Sequence, residues 1–149
     1  MTDRAERAAA LFASGFNCTQ SVLAAYAEDF SLEETAATRL GEGLGGAFLN
    51  GANMPCGALL GAIMVLGLYA GRAQIGDIDA KLRTMSLQKR AIAAFSERCG
   101  ASTCRELLGG DITTPEGAAK ARAEGRMKNC ASYVATACEV LDELLASHQ

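Results

Sequence analysis

The sequence predicts an all-α protein, a compact single-domain bundle of about six to seven helices around a central apolar helix. Three observations on composition indicate this class. The 149 residues include 29 Ala and 17 Leu, which favour helices, whereas Val and Ile together number only 9. Proline, which breaks helices, occurs only 2 times. The length suits one domain, and no internal repeat or long linker divides residues 1–149.

Three helices are predicted in the first part of the chain, at residues 3–13, 17–27 and 31–40. The first ends at Ser14-Gly15, because glycine commonly follows the last turn of a helix. Asn17 is a suitable N-cap for the second helix. Ser31 and Glu34 have the spacing of a capping box, which predicts the start of the third.

The middle of the chain, residues 43–71, contains no charged side chain. Five glycines between residues 41 and 51 are too many for a regular element and predict a loop. A helix is predicted from Cys56 to Ala70, and its apolar block is shorter than the roughly 20 residues that cross a bilayer. We therefore expect a buried central helix and no membrane span. Small residues four apart on this helix would let another backbone approach closely; they are Gly57, Ala58, Gly61 and Ala62.

A long helix is predicted from Asp77 or Asp79 to Cys99. Its apolar residues recur at helical spacing and are expected to face the core; they are Ile78, Leu82, Met85 and Ile92.

Three more helical segments complete the chain. Thr103 caps a short turn through Leu108, and Thr114 with Pro115 begins the next helix. The last helix covers residues 130–147. Its inward-facing residues are predicted to be Val134, Ala137, Leu141, Leu144 and Leu145.

Charge and motif content exclude several classes of function. With 17 acidic and 14 basic residues, the chain has no basic surface typical of nucleic-acid binding, so no nucleic-acid partner is expected. The charged N-terminus lacks the apolar core of a secretory signal, which predicts a cytoplasmic location. No carboxylate pair or nucleophile–base set supports a hydrolase.

The 6 cysteines are the chemically unusual feature. In a reducing compartment they indicate metal binding or redox chemistry more than structural disulfides. Four follow or form predicted helix starts, where free N–H groups and the helix dipole favour a thiolate; they are Cys18, Cys56, Cys104 and Cys130. Cys138 is predicted to pack as a small apolar residue. Cys99 ends a helix, where it is either structural or paired with Cys104.

Basic side chains lie close in sequence to two of these cysteines, Cys104 and Cys130. Arg105, Arg126 and Lys128 could offset thiolate charge. As charges on amphipathic helices they are expected to be solvated.

The cysteine spacing requires a site assembled from several helices. There is no Cys-x-x-Cys and no Cys-x-x-Cys-His, and the single histidine is His148. These absences argue against haem c and against zinc bound by histidine. Cys130 and Cys138 are about 12 Å apart along one helix, which is too far for a disulfide. Four thiolates from distant parts of the chain suit an iron–sulfur cluster or zinc.

The motif pattern resembles the C_GCAxxG_C_C family of redox-active proteins. It consists of Cys18, then Cys56-Gly57-Ala58-Leu59-Leu60-Gly61, then Cys104 and Cys130. The resemblance implies that these four cysteines are the marker cysteines of the family, and it covers nearly the whole chain. The family is also similar to the cluster-binding part of split-Soret cytochrome c. That similarity implies a [2Fe–2S] cluster, without the haem.

The leading hypothesis is a redox or electron-transfer protein with an iron–sulfur cluster on the four marker cysteines. The first alternative is a thiol–disulfide oxidoreductase or redox sensor without metal, for which Cys99 joins the four as a candidate redox-active thiol. The second alternative is a helical domain with structural zinc. The sequence leaves open the redox partner and any enzymatic activity. The apolar composition of so short a chain suggests a homodimer.

Overall fold

A computed structural model describes residues 1–147 and confirms the all-α class. The single histidine, His148, lies outside the described residues. These residues form nine α-helices and two short 3-10 turns at 27–30 and 126–129, with no β-strand among them. The helices are α1 (Asp3–Ser14), α2 (Cys18–Tyr26), α3 (Glu34–Glu42), α4 (Ala47–Gly51), α5 (Gly57–Ala70), α6 (Ile78–Cys99), α7 (Cys104–Leu108), α8 (Pro115–Ala123) and α9 (Cys130–Ser147).

Most predicted helix starts are confirmed by their capping side chains. Asn17 accepts a hydrogen bond from the Gln20 backbone N–H, and the Gln20 side chain accepts one from the Asn17 backbone N–H. Thr103 and Thr114 likewise cap α7 and α8. Asp77, of the two candidates, caps α6.

Two predictions in the first half of the chain are wrong. The N-cap of α3 is Glu33, not Ser31, because the Glu33 carboxylate accepts hydrogen bonds from two backbone N–H groups of the first turn. Ser31 instead ends the preceding 3-10 turn with a φ of 55°. The glycine-rich region is not entirely a loop. It contains the five-residue helix α4, in which burial of Leu49 and Asn50 compensates for weak helix propensity.

Helices α2 and α5 share the centre of the bundle. Every residue of α2 from Thr19 to Tyr26 is buried, and α2 packs against α1, α3, α5 and α9. The apolar α5 packs against α2, α6 and α9. In residues 1–147, no helix is both long and apolar enough to span a membrane.

Glycines on α5 bring it close to α2, as the spacing of small residues predicts. A Cβ added at Gly61 would lie 2.8 Å from the Val22 Cβ and 3.0 Å from the Thr19 carbonyl oxygen. Both distances are shorter than ordinary van der Waals contact. The two helices can therefore pack at this distance only because residue 61 has no side chain.

The predicted inward stripe of α6 is wrong. Its four large residues are exposed, with exposed fractions of 52% for Ile78, 56% for Leu82, 41% for Met85 and 40% for Ile92. The buried face consists of Ala80, Leu87, Ala91 and Phe95. Both faces repeat at helical spacing, so periodicity alone cannot distinguish them. In α9 the predicted inward residues are buried, except that Leu145 is only partly covered.

Substitution of Gly61 tests the close packing of α2 and α5. We expect Gly61→Ala to lower the free energy of unfolding by about 1–2 kcal/mol, because overpacking costs more than the gain in helix propensity. Gly67→Ala is the matched control in the same helix, since a Cβ there meets no atom within 4 Å. It should raise stability by up to about 1 kcal/mol. Urea unfolding measures the stability of both variants. If the two variants were equally stable, the close packing of α2 and α5 at Gly61 would be contradicted.

Candidate functional site

The four predicted marker cysteines line a single cavity of about 190 Å³. Each stands at the start of a different helix: Cys18 at α2, Cys56 immediately before α5, Cys104 at α7 and Cys130 at α9. Cys56 is buried and the other three are half-buried. The rest of the lining is largely apolar and includes Phe12, Leu49, Leu107, Leu108, Ile112, Met127 and Tyr133.

A short pair of backbone hydrogen bonds holds the segments that carry Cys56 and Cys104 side by side. The Cys56 N–H donates to the Ser102 carbonyl at 2.7 Å, and the Cys104 N–H donates to the Met54 carbonyl at 3.2 Å. Pro55 and Thr103 lie opposite each other between these bonds in an isolated antiparallel bridge. The backbone therefore fixes the relative positions of these two cysteines before any ligand binds.

A 3-10 turn followed by the start of α9 places Cys130 at the cavity. The chain leaves α8, passes through Gly125 with a φ of 69°, and forms the 3-10 turn 126–129 that leads directly into α9. The left-handed conformation of Gly125 ends α8. Cys130 therefore begins a new helix.

Cys18 and Cys130 are neighbours whose ionisation is linked. Their mutual interaction lowers the pKa of Cys130, while the same interaction and then burial raise the pKa of Cys18. The negative charges of Cys56, Cys130 and Cys104 would raise the pKa of Cys18 further. Of the two thiols, Cys130 is therefore the one that ionises first.

Burial also controls the other two thiols. It raises the pKa of Cys56 to about 12, although the backbone N–H groups of Ala58 and Leu59 act in the opposite direction. Burial raises the pKa of Cys104, and a hydrogen bond from Asn50 partly offsets that effect. Four thiolates in one apolar cavity would repel one another. Their joint ionisation therefore requires a compensating cation.

Asn50 is a site residue that the sequence analysis missed. Its side chain is fully buried and donates to the Cys104 sulfur at 3.5 Å and to the Gly110 carbonyl at 3.1 Å. Its Oδ1 accepts from the Ile112 N–H at 2.9 Å. The sequence does contain an indication of this role. Asn50 lies in an uncharged, largely apolar stretch, and a buried amide needs hydrogen-bond partners.

Arg105 is bound to backbone and is not simply solvated. Its guanidinium donates to the carbonyls of Asn50 at 2.7 Å and Gly51 at 2.9 Å, which ties α7 to α4. Arg126 pairs with Glu124 at 2.6 Å. Lys128 is exposed, as expected from the sequence.

Cys99 and Cys138 lie outside the residues that line the cavity. Cys99 is half-buried at the end of α6, where burial raises its pKa and a hydrogen bond with Thr136 lowers it. Cys138 is buried in α9, and burial raises its pKa to about 12. The geometry brings four cysteines together and leaves these two apart.

The six cysteines are free thiols. Among residues 1–147, no group of three or more His, Cys, Asp or Glu side chains is arranged to hold a metal ion. One zinc ion binds thiolates at about 2.3 Å, so its sulfurs must lie within about 4 Å of one another. An iron–sulfur cluster distributes its cysteines over two or more irons, so only cysteines on the same iron must lie that close.

Replacement of Asn50 tests its role in holding the cavity together. We expect Asn50→Leu to lower the free energy of unfolding by about 2–4 kcal/mol, because it leaves the Ile112 N–H and the Gly110 carbonyl without their partner. The control is Gln74→Leu, which replaces an exposed amide and should change stability by less than about 0.5 kcal/mol. Thermal or urea unfolding of both variants makes the comparison. A near-neutral Asn50→Leu variant would contradict the assigned role.

Comparison with known families agrees with the cysteine pattern. Residues 16–144 match the family described as "Putative redox-active protein (C_GCAxxG_C_C)". No curated protein and no solved structure matches the chain. The matched range includes all four cysteines of the cavity and most of the fold around them. The chain therefore belongs to the C_GCAxxG_C_C family of redox-active proteins.

Proposed function

We propose that this protein is an electron-transfer or redox-sensing protein that holds an iron–sulfur cluster on Cys18, Cys56, Cys104 and Cys130. One observation carries the proposal: four cysteines from four helix starts line one largely apolar cavity. Thiolates are the usual ligands of such clusters, and both common cluster types take four cysteines. The [2Fe–2S] form is our choice on the resemblance to split-Soret cytochrome c. We place the protein in the cytoplasm, where a reducing environment keeps thiols free.

The residues around the sulfurs suit this role. When bound, the cluster would accept and release one electron. The cationic irons would offset the repulsion among four thiolates. The N–H groups of Ala58 and Leu59 approach Cys56, and the Asn50 amide donates to Cys104. Such hydrogen bonds to cluster sulfurs stabilise the reduced, more negative state, and the apolar lining limits access of water.

Thiol–disulfide exchange without metal is a second candidate, and the linked ionisation of Cys18 and Cys130 at one cavity favours it. In that reaction the Cys130 thiolate attacks a disulfide of a partner protein and releases one partner thiolate. Cys18 then gives its proton to the released thiolate and displaces the second partner sulfur from Cys130, and this second thiolate takes a proton from water. The products are a Cys18–Cys130 disulfide and the reduced dithiol of the partner. The Cys99–Cys104 pair suits this mechanism less well, because Cys99 does not line the cavity.

Elemental analysis of anaerobically purified protein tests the main proposal. We expect iron with a comparable amount of acid-labile sulfide. Zinc without sulfide would support the structural-zinc alternative. Protein without metal, purified under confirmed anaerobic conditions, would favour thiol–disulfide exchange.

Serine variants identify the ligands. We expect Cys56→Ser to lower bound iron and sulfide at least about tenfold, because a buried thiolate ligand is lost. The same result is expected for Cys18, Cys104 and Cys130. Cys99→Ser is the matched control, since Cys99 does not line the cavity, and it should keep the parent content. Full retention of iron in Cys56→Ser would refute the assignment.

The metal-free alternative makes a separate prediction. Mild oxidation of metal-free protein should first join Cys18 to Cys130, because these two thiols interact most strongly among the four of the cavity and Cys130 has the lowered pKa. Peptide mapping by mass spectrometry without reduction identifies the linked pair. A first disulfide that contains Cys99 or Cys138 would contradict this prediction.

A further inference from the structure

The Arg105 guanidinium binds the backbone of a second helix. Its Nε donates to the Asn50 carbonyl at 2.7 Å, and its Nη2 donates to the Gly51 carbonyl at 2.9 Å. Both carbonyls belong to the last two residues of α4. A helix leaves carbonyls without intrahelical donors at this end, and an arginine side chain can bind them. Arg105 therefore fixes the backbone at the end of α4.

Asn50 is held by two neighbouring residues of α7. Arg105 binds its backbone carbonyl, and the sulfur of the preceding residue, Cys104, accepts from its side-chain amide at 3.5 Å. These two contacts, together with the peptide bond between Cys104 and Arg105, form a closed ring. A shift of α4 relative to α7 would therefore disturb the contact with the sulfur and the contact with the guanidinium at once.

The orientation of the Asn50 amide is also fixed. Its Oδ1 accepts from the Ile112 N–H at 2.9 Å, and its Nδ2 donates to the Gly110 carbonyl at 3.1 Å. A flipped amide would set its oxygen against the Gly110 carbonyl and its NH2 against the Ile112 N–H, so both bonds would be lost. Because Asn50 is fully buried, water does not replace these partners. The amide can therefore reach the sulfur only while the backbone of residue 50 stays in place.

The position of Arg105 matters more to Cys104 than its charge does. The Arg105 side chain is 38% exposed and lies 3.5 Å from the Asp111 carboxylate, whose side chain is 36% exposed. Solvent screens charges at this exposure, and the carboxylate offsets the guanidinium charge. The effect of Arg105 on the sulfur is therefore expected to pass through the Asn50 amide.

We propose that Arg105 is a positioning residue that sets the reduction potential of the centre by holding the Asn50 amide on the Cys104 sulfur. This role rests on the proposed function, because it takes Cys104 as a ligand of the centre. A hydrogen bond to a ligand sulfur stabilises the reduced, more negative state. Loss of the Asn50 bond should therefore lower the potential.

Hydrogen exchange of the Asn50 side-chain NH2 in the metal-free protein tests the positioning. Its NMR signal is identified by its absence in Asn50→Leu. We expect at least about tenfold faster exchange in Arg105→Lys, because lysine keeps the charge but lacks the planar fork that binds two carbonyls. Unchanged exchange would overturn the proposal whether or not the protein binds iron.

Arg98→Lys is the matched control for this measurement. The Arg98 side chain is also 38% exposed. Its guanidinium donates two hydrogen bonds to Glu143, at 3.1 Å and 2.5 Å, and neither residue lines the cavity. We expect this variant to keep the parent exchange rate. Equal acceleration in both lysine variants would show a general loosening of the fold and would contradict the role of Arg105.

The midpoint potential of the iron-containing protein tests the functional consequence. We expect Arg105→Lys to lower the equilibrium constant for one-electron reduction at least about tenfold, which corresponds to about 59 mV. Arg98→Lys should keep the parent potential. An unchanged potential in Arg105→Lys would overturn the proposal, whereas unmodified protein without iron would refute the proposed function and leave the exchange measurement to decide the role of Arg105.

A double-mutant cycle tests whether Arg105 acts through Asn50. In an Asn50→Leu background, Arg105→Lys should change the potential little further, because the group that Arg105 positions is gone. Asn50→Ser, whose hydroxyl is too short to reach the sulfur, serves the same purpose if Asn50→Leu does not fold. A shift of equal size with and without Asn50 would contradict the proposal.

Discussion

The close approach of α2 and α5 is the contact on which the cysteine cavity depends. Both helices begin at or next to a cysteine, so packing their first turns together brings Cys18 and Cys56 to the same cavity. A Cβ at Gly57 would lie only 3.1 Å from the Cβ of Cys18. The buried Thr19 hydroxyl donates to the Gly57 carbonyl at 3.0 Å and adds a polar link between the helices. The Cys-Gly-Ala-x-x-Gly motif therefore has two roles. Its cysteine lines the cavity, and its two glycines let α5 pack closely against α2.

The other half of the cavity depends on tertiary hydrogen bonds. Helices α4 and α7 have five residues each, too few to be stable in isolation. Asn50 and Arg105 cross-link them, one through its side-chain amide and the other through its guanidinium. These bonds fix α7 on α4, and the backbone bonds of Cys56 and Cys104 hold those two cysteines side by side. The precision of the site therefore comes from short elements held by polar contacts. Loss of such a contact would affect both stability and geometry.

Helix α6 shows how an amphipathic pattern can be misread. Large apolar side chains usually face the core. The sequence therefore predicts that the side of α6 with Leu82 and Met85 is buried. The bundle instead buries a face with two alanines, Ala80 and Ala91, because small residues allow α6 to approach its neighbours. Leu87 and Phe95 are buried beside them, while Leu82 and Met85 remain exposed. The two apolar faces have the same periodicity, so only packing shows which of them is buried.

The sequence by itself determined the helical class, most helix starts and which four cysteines line one cavity. Those features depend on local rules, since composition, capping residues and the free N–H groups of a helix start act within a few positions. The tertiary structure alone decided which thiols are neighbours, which face of α6 is buried and that Asn50 reaches Cys104. Each of these outcomes depends on contacts between residues far apart in sequence. Local propensity contains no information about such contacts, because their energies arise only once the helices pack.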